Sequence, residues 1–304
     1  MIIMKNILIF LIFTIVLFFY LHITYHHKKS NDLEIYESNI NSKNELEEIC
    51  NYRQPVLFSY NNTDITDNIN RDKLLLNYSL FELNVRSIDV DHMDNIEMYI
   101  PYKLSDLFKA FKNDKDKKYI TEKNSDFLNE SGLIKYLKNN DIIFRPYFML
   151  SCEYDIMSGS IGTRTPLRYN LYNRNFFHII EGSVTINLCP PNTNKYVNEQ
   201  KDYDNYEFRT DINIWDRDDK NKHILDKIKI LSVKLVKNQI IYIPSYWWYS
   251  IEYENQSTIV NYSYQTYMST LSIMPNIFLH FLQQQNIKIN KFKKYNFKYN
   301  NDES

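Results

Sequence analysis

Two stretches of the chain decide its fold: residues 165–191, TPLRYNLYNRNFFHIIEGSVTINLCPP, and residues 241–251, IYIPSYWWYSI. The first holds two runs of aromatic and β-branched residues that are separated by Glu181-Gly182-Ser183. This pattern predicts two strands joined by a hairpin-like turn. The second begins with a strand that closes at a proline, and two tryptophans follow it. Both stretches are typical of a chain built from short strands.

Working outward, the same reasoning predicts strands at the centre of the chain and helices mainly towards its two ends. Further strands are predicted at residues 54–60, 75–100, 231–236 and 257–264. Helices are predicted at residues 44–50, 103–112, 127–137 and 276–285, a polar loop at 61–72, and a long polar insertion at 202–215. This order predicts a mainly β fold with helical flanks, either a sandwich or a barrel.

The composition excludes several classes of protein. The 304 residues include one alanine and only four glycines, against 37 asparagines, 26 tyrosines and 18 phenylalanines. Neither a G-x-G-x-x-G turn nor a Walker A loop occurs, which argues against dinucleotide enzymes and P-loop NTPases. Low alanine content disfavours a helical bundle. The net charge of −1 gives no general sign of nucleic-acid binding, and three widely spaced cysteines signal neither a disulfide framework nor a zinc knuckle.

The N-terminus predicts a membrane anchor. Residues 7–25 are almost entirely apolar, and about nineteen residues suffice to span a hydrocarbon layer of roughly 30 Å. A cleaved signal peptide is the alternative, but no small-x-small cleavage site follows the apolar run. Lys28 and Lys29 lie on one side and Lys5 on the other, a weak bias that favours a cytosolic body. Five N-x-S/T sequons argue weakly for a lumenal body, although an asparagine-rich chain contains them by chance.

The two quoted stretches together resemble the cupin-like branch of the JmjC family. These double-stranded β-helix proteins include the hypoxia-response asparaginyl hydroxylase. The matching features are Thr165-Pro, Asn175-Phe-Phe, a glycine at 182, Pro190-Pro and Ile243-Pro followed by Trp247-Trp, in the family's order and spacing. The whole chain also resembles cupin-like proteins of large DNA viruses. The resemblance implies a cupin or jelly-roll barrel preceded by one transmembrane helix.

On that basis we divide the chain into six parts. They are an N-terminal flank (1–6), the transmembrane anchor (7–25), a polar tether (26–45), a helical and strand N-terminal part of the cupin-like domain (46–140), the β-barrel core with its C-terminal helix (141–285), and a basic polar tail (286–304).

The resemblance also implies where an oxygenase of this family would hold iron, and those positions carry the wrong residues. It places the two histidines and one carboxylate of the metal triad at Arg168, Asn170 and Tyr249. Arginine keeps its positive charge, asparagine lacks a negative one, and tyrosine binds a metal only as a phenolate. The lysine that grips 2-oxoglutarate in the hydroxylase falls at Val184. We therefore expect no catalytic residues, no metal and no cofactor.

Some of the family's pocket persists in the sequence. Thr165, Asn175 and Asn261 match polar positions that line the cosubstrate site, and Val184 is a fourth position of that lining. Arg168 in such a pocket would bind a small anion or a peptide carboxylate. The alternative is that Arg168 pairs with a buried acid and aromatic side chains fill the barrel. His178 is the one histidine near the site, and strand alternation places it on the face opposite Asn175.

Three functions remain open at this stage. The first is a membrane-tethered, catalytically degenerate cupin-like protein that acts as a binding or scaffold module for a protein or peptide. The second is an active iron and 2-oxoglutarate hydroxylase with unorthodox ligands, and the third is a structural viral membrane protein. Further expected partners are the membrane, through residues 7–25, and a second copy of the chain, through the C-terminal helix. No specific nucleic acid is expected.

Overall fold

The computed structural model describes residues 2–88, 99–216 and 221–285. The helices are α1 (Ile2–His26), α2 (Lys43–Asn51), α3 (Thr63–Asn68), α4 (Arg71–Tyr78), α5 (Leu104–Asn113), α6 (Ser125–Glu130), α7 (Ile134–Asn140), α8 (Lys222–Leu225), α9 (Tyr267–Ser272) and α10 (274–285), with one 3₁₀ helix (Pro191–Lys195). The strands are β1 (Tyr36–Glu37), β2 (Val56–Ser59), β3 (Glu82–Ser87), β4 (Ile100–Lys103), β5 (Tyr119–Thr121), β6 (Met149–Gly159), β7 (Arg168–Tyr169), β8 (Arg174–Glu181), β9 (Ser183–Cys189), β10 (Gln200–Asp202), β11 (Glu207–Arg209), β12 (Leu231–Val236), β13 (Gln239–Tyr242), β14 (Trp248–Tyr253) and β15 (Thr258–Thr266). The basic tail at 286–304 lies outside the described residues. So do residues 89–98 of the region 75–100, where strands are predicted.

The strands form two sheets. One has nine strands in the order β1-β2-β13-β8-β15-β6-β5-β3-β4, and the other has six in the order β10-β11-β7-β14-β9-β12. Inward-facing side chains of both sheets form one hydrophobic cluster, so the sheets pack face to face. A mainly β fold with helical flanks is confirmed, but within the described chain the sheets do not close into a barrel.

The turn at Gly182 differs from the predicted hairpin. β8 pairs with β13 and β15 in the larger sheet, whereas β9 pairs with β12 and β14 in the smaller one. The chain therefore crosses from one sheet to the other at Gly182. This residue has a φ of +78°, and a Cβ there would lie 2.5 Å from Asn255 Oδ1. Glycine is required because the turn is both left-handed and closely packed.

Strand β8 separates two hydrophobic clusters. Phe177 and Ile179 point between the sheets, whereas Phe176 and Ile180 point to the helices that cover the outer face of the larger sheet. That outer layer contains more helix than the sequence predicts. Residues 61–72, expected as a loop, contribute α3 and the start of α4, and the single helix predicted at 127–137 is two, α6 and α7. Gly132, with a φ of +73°, lies at the break between them.

Helix α1 is exposed along its length. Residues Ile3–His27 are long and apolar enough to cross a membrane, with a mean hydropathy of 2.6. The segment that follows, expected as a polar tether, is held on the domain. Tyr36 and Glu37 pair in parallel with Val56 and Leu57, and residues 33, 35 and 40 pack against the two clusters. α1 is therefore joined to the domain through a fixed segment.

Candidate functional site

A polar cavity of about 550 Å³ opens between the two sheets, where residues of β6, β8 and β15 face residues of β7, β11 and β14. Arg168, Asn170 and Tyr249 all line it, together with Asn175 and Asn261. Helix α10 lies over this cavity and contributes Ile277 and His280 to its wall. The structure thus brings together five of the seven residues that the sequence singled out.

The other two residues lie elsewhere. Val184 is fully buried between the sheets and does not line the cavity. Thr165 lines a separate cavity of about 480 Å³, and its hydroxyl accepts a hydrogen bond from the backbone of Ile251 at 2.8 Å. Thr165 therefore fixes strand β14 to the loop before β7.

Strand pairing sets the positions of Arg168 and Tyr249. They are direct cross-strand partners on β7 and β14, and the Arg168 guanidinium carbon lies 5.7 Å from the centre of the Tyr249 ring. Asn170 follows the end of β7, where its side-chain oxygen accepts a hydrogen bond from the backbone of Tyr172 at 3.1 Å. Two motifs that are 80 residues apart therefore meet because their strands are neighbours.

The Arg168 guanidinium belongs to a buried network of two arginines and two glutamates. Its terminal nitrogens contact Glu122 at 2.6 and 2.9 Å and Glu207 at 3.0 Å. Arg86 contacts Glu207 at 2.9 and 3.1 Å and Glu122 at 2.8 Å. Each carboxylate therefore bridges both guanidinium groups. We call Arg86, Glu122, Arg168 and Glu207 the charge quartet.

The charge quartet is electrically neutral and almost dry. The side chains of Glu122 and Glu207 are only 3% and 6% exposed, so each carboxylate depends on its arginines. Burial alone raises the pKa of Glu122, but Arg168 and Arg86 outweigh it and lower that pKa to about 2. Burial likewise raises the pKa of Glu207, and Arg86 and Arg168 reverse the shift and lower it. Both glutamates are therefore ionised at neutral pH, and the four charges cancel.

This arrangement does not fit a catalytic iron. The terminal nitrogens of Arg168 bind both carboxylates, and its positive charge lies at a position that the family resemblance assigns to a metal ligand. Burial raises the pKa of Tyr249, and the nearby guanidinium of Arg168 only partly offsets this, so Tyr249 stays a neutral phenol. No group of three His, Cys, Asp or Glu side chains suited to a metal occurs among the residues that the structure describes.

The space between the sheets behind Tyr249 is filled. Val184 packs there with Ile186, Ile251 and the fully buried Tyr253 in the inter-sheet cluster. Gly159 makes room for that tyrosine, since a Cβ at 159 would lie 2.6 Å from Tyr253 Cδ2. Without a lysine at 184, this apolar packing offers no charged group to a dicarboxylate cosubstrate.

The charge quartet bears on the two alternatives for Arg168, a small anion or a buried acid. An Arg168 that is held by two carboxylates is not available for a small anion, so the structure supports the pairing with buried acid instead. What remains for a ligand is a polar wall of amide and hydroxyl groups. Asn261 donates to Asn175 Oδ1 at 2.8 Å, and Ser263 donates to the same oxygen at 2.8 Å. Asn170 Nδ2 and Tyr206 Oη are buried without a hydrogen-bond partner in the described part of the chain.

His178 lies on the opposite face of β8 from Asn175, as alternation predicts. It is fully buried between Tyr60 and Tyr262, with ring centres 5.5 and 6.4 Å away. Neither ring nitrogen has a hydrogen-bond partner among the described residues. Burial lowers the pKa of His178 to about 4, so it is neutral at physiological pH. It is a core residue on the side away from the cavity.

Sequence reasoning missed three members of the charge quartet. Arg86 lies on β3, Glu122 follows β5, and Glu207 begins β11 within the insertion that was expected to be a polar loop. Glu122 and Glu207 lie 46 and 39 residues from Arg168 along the chain. The one available signal was Arg168 itself, because an arginine in a core strand requires acidic partners.

Comparison with known proteins gives one match. The family described as cupin-like domain matches residues 38–270, which is most of the chain and includes the whole cavity except its α10 wall. No curated protein matches the chain.

Proposed function

Because this chain belongs to the cupin-like domain family, we propose that it is a membrane-anchored, catalytically degenerate relative of the iron and 2-oxoglutarate oxygenases. Its cavity then serves as a binding or scaffold module. The observation that carries the proposal is the charge quartet, in which Arg168 occupies the position of a metal ligand and is neutralised by Glu122 and Glu207. A metal would have to displace a guanidinium from two buried carboxylates, which is strongly unfavourable.

The cavity favours a neutral, hydrogen-bonding ligand. Arg168, Glu122 and Glu207 are paired within the charge quartet, and the other charged groups of the cavity lining, Lys123, Glu153 and Asp155, are hydrogen-bonded within the domain. Asn170 Nδ2 and Tyr206 Oη, by contrast, are donors without a hydrogen-bond acceptor among the described residues. Buried polar groups gain free energy when they find a partner, so an acceptor such as an amide carbonyl suits this wall. A peptide segment or an amide-bearing side chain has this chemistry. We therefore propose a protein or peptide partner rather than a small anion.

Membrane anchoring is the second part of the proposal. Helix α1 spans 25 residues, and at ~1.5 Å per residue its length exceeds the roughly 30 Å hydrocarbon layer. Its apolar side chains are exposed rather than packed, so they need an apolar environment that the domain does not supply. A membrane span is therefore the role that we propose for α1.

The test is to restore the metal triad. We expect the full chain in lipid nanodiscs to bind no stoichiometric Fe(II), and the triple variant Arg168→His, Asn170→Asp, Tyr249→His to gain Fe(II) binding. Arg164→His is the matched control, since Arg164 is a half-buried arginine four residues earlier that does not line the cavity. Circular dichroism establishes that each variant is folded.

Two outcomes would contradict the proposal. One is tight Fe(II) binding by the unmodified chain with turnover of 2-oxoglutarate to succinate. The other is such activity persisting unchanged in the triple variant, which would place a working metal site elsewhere and favour an oxygenase with unorthodox ligands.

A further inference from the structure

Three aromatic side chains beside the anchor helix are largely exposed. Tyr147, Phe148 and Tyr267 are 53%, 85% and 59% exposed. They lie on the turn before β6 and at the start of α9, and we call them the junction surface. They line one cavity of about 940 Å³ whose opposite wall is the end of α1, including Phe18 and Leu21. The junction surface is therefore continuous with the apolar anchor.

Phe148 is held in an unfavourable position. Its φ is +55°, in the left-handed region that costs roughly 1–2 kcal/mol for a residue with a side chain. Its carbonyl accepts a hydrogen bond from the Tyr267 backbone at 3.3 Å, which joins the two parts of the junction surface. In water an exposed phenylalanine gains nothing that offsets this strain. The geometry favours an apolar partner outside the domain.

The end of α1 is fixed on the domain rather than free to swing. Tyr25 donates a hydrogen bond to Asn51 at 2.9 Å, and Arg53 lies over the Tyr25 ring at 5.4 Å. Lys29 lies 3.9 Å from the centre of the Tyr246 ring. When α1 spans a bilayer, these contacts hold the domain directly against the membrane surface.

The length of α1 places the junction surface at the right depth. A span over residues 7–25 ends at Tyr25, so Leu21 and Tyr25 lie near the edge of the hydrocarbon layer. Tyr147, Phe148 and Tyr267 share a cavity with those two residues. Aromatic side chains are enriched at this level of a membrane because their rings tolerate both phases.

We propose that the junction surface docks on the lipid bilayer that α1 crosses, with Phe148 inserted below the headgroups. The inference rests on the proposed membrane anchor. Lys43 lies 4.6 Å from the Tyr147 ring centre, and Arg53 and Arg174 line the junction cavity together with Glu47, so basic groups outnumber acidic ones there. That charge suits anionic headgroups. The cavity between α1 and the domain is accordingly filled by lipid.

A second copy of the chain is the competing occupant. Helix α10 carries its own exposed apolar face, formed by Met274, Phe278, Phe281 and Leu282, while Ile277 and His280 face the polar cavity. A dimer through the C-terminal helix would use that face. Of these two surfaces, the junction surface is the one that shares a cavity with α1, so we assign the lipid to it.

The test uses spin labels on the full chain in vesicles of phosphatidylcholine and phosphatidylserine. One label replaces Phe148 (Phe148→Cys), and a matched control replaces Leu80, which is 76% exposed and does not line the junction cavity. A third label at Leu11 (Leu11→Cys) reports on α1 itself. Cys152, the one half-buried native cysteine, is changed to serine in all three, and Cys50 and Cys189 are buried.

We expect the label at 148 to collide several-fold more with membrane-dissolved oxygen, and several-fold less with an aqueous nickel chelate, than the label at 80. Equal nickel accessibility at 148 and 80 would overturn the docking proposal. If the label at 11 lies in lipid in that case, only the docking inference fails; if it lies in water, the anchor fails too. Spin–spin broadening at 148 that disappears on dilution with unlabelled chain would show a second copy and also overturn the proposal.

Discussion

Replacing Arg168 with methionine removes one guanidinium from the charge quartet. We expect the free energy of unfolding to fall by about 3–5 kcal/mol, because Arg86 would then be the one guanidinium that pairs with two buried carboxylates, and Tyr99 offers Glu122 only a neutral hydroxyl. The side chain of Arg168 is 8% exposed, so water cannot take its place easily. Methionine keeps much of the length of the side chain, so the loss is one of charge rather than of volume.

The pKa of Glu122 points in the same direction. Arg168 and Arg86 lower it in the folded protein against the opposing effect of burial, so the ionised carboxylate stabilises the folded state. Because the folded-state pKa is lowered, this stabilisation is present above the unfolded value and disappears as the pH falls towards 2. In Arg168→Met, burial and repulsion by Glu207 raise a carboxyl pKa instead. The deficit of the variant is therefore largest near neutral pH and shrinks as the pH is lowered towards 5.

The assay is chemical denaturation of the full chain in detergent micelles, followed by near-UV circular dichroism. The control Arg164→Met removes exposed ion pairs to Asp216 and Glu252, which are worth about 0–1 kcal/mol. Adding Glu122→Gln to Arg168→Met leaves the two-bonded Arg86–Glu207 pair, so the double variant should recover about 1–3 kcal/mol. A loss at 168 no larger than the loss at 164, with no recovery in the double variant, would refute the reasoning.

Three further predictions concern the core around the site. Gly159→Ala should cost about 1–3 kcal/mol in thermal denaturation because its Cβ would meet Tyr253 at 2.6 Å, whereas Gly132→Ala, with nothing within 4 Å, should show only backbone strain of about 1 kcal/mol; equal losses would contradict this. His178→Phe should gain stability over the wild type as the pH falls from 6.5 to 4, because the pKa of His178 is lowered to about 4 and the unfolded chain takes up the proton first; parallel acid-unfolding curves would contradict it. Burial raises the pKa of Asp155 from 3.8 to about 7, so the folded state loses stability as the pH rises from about 4 to about 7 and changes little above that range. Asp155→Asn should therefore flatten the stability profile between pH 4 and 7; an unchanged slope there would contradict that assignment.

Local patterns in the sequence predict the β core well because motif residues occupy strands that pair. The family resemblance carried by two motifs placed Arg168 and Tyr249 in one site, and in the structure they are cross-strand partners. Period-two alternation correctly separates Asn175 from His178. It does not report sheet membership, which is why the crossing at Gly182 was predicted as a hairpin. Alternation predicts which residues share one face of a strand, but it does not predict which strands lie next to it in the sheet.

The helices of residues 61–78 were missed although the sequence carries a signal for them. Asn62 and Asn70 accept hydrogen bonds from the backbone at Ile65 and Lys73, as N-cap residues do. In a chain with 37 asparagines, such caps are hard to separate from loop residues. Because asparagine is so common in this chain, an N-cap asparagine does not stand out as it would in a sequence of average composition.

The charge quartet is the part of the site that local patterns do not reach. Arg86 and Glu207 are 121 residues apart, and only the packing of β3, β7 and β11 around one point brings them together. A sequence alone does not distinguish a charged residue on the surface from a charged residue in the core. Arg168 alone, at a position where the family carries a metal ligand, indicated that buried acids had to exist.

The most direct measurement is metal analysis of the full chain after anaerobic incubation with Fe(II) and removal of excess metal, coupled to calorimetric titration with 2-oxoglutarate. The charge quartet predicts substoichiometric iron, no saturable heat from 2-oxoglutarate and no succinate above a protein-free blank. One iron per chain, with saturable binding of 2-oxoglutarate and formation of succinate, would contradict the central claim that two arginines and two glutamates have replaced the metal centre.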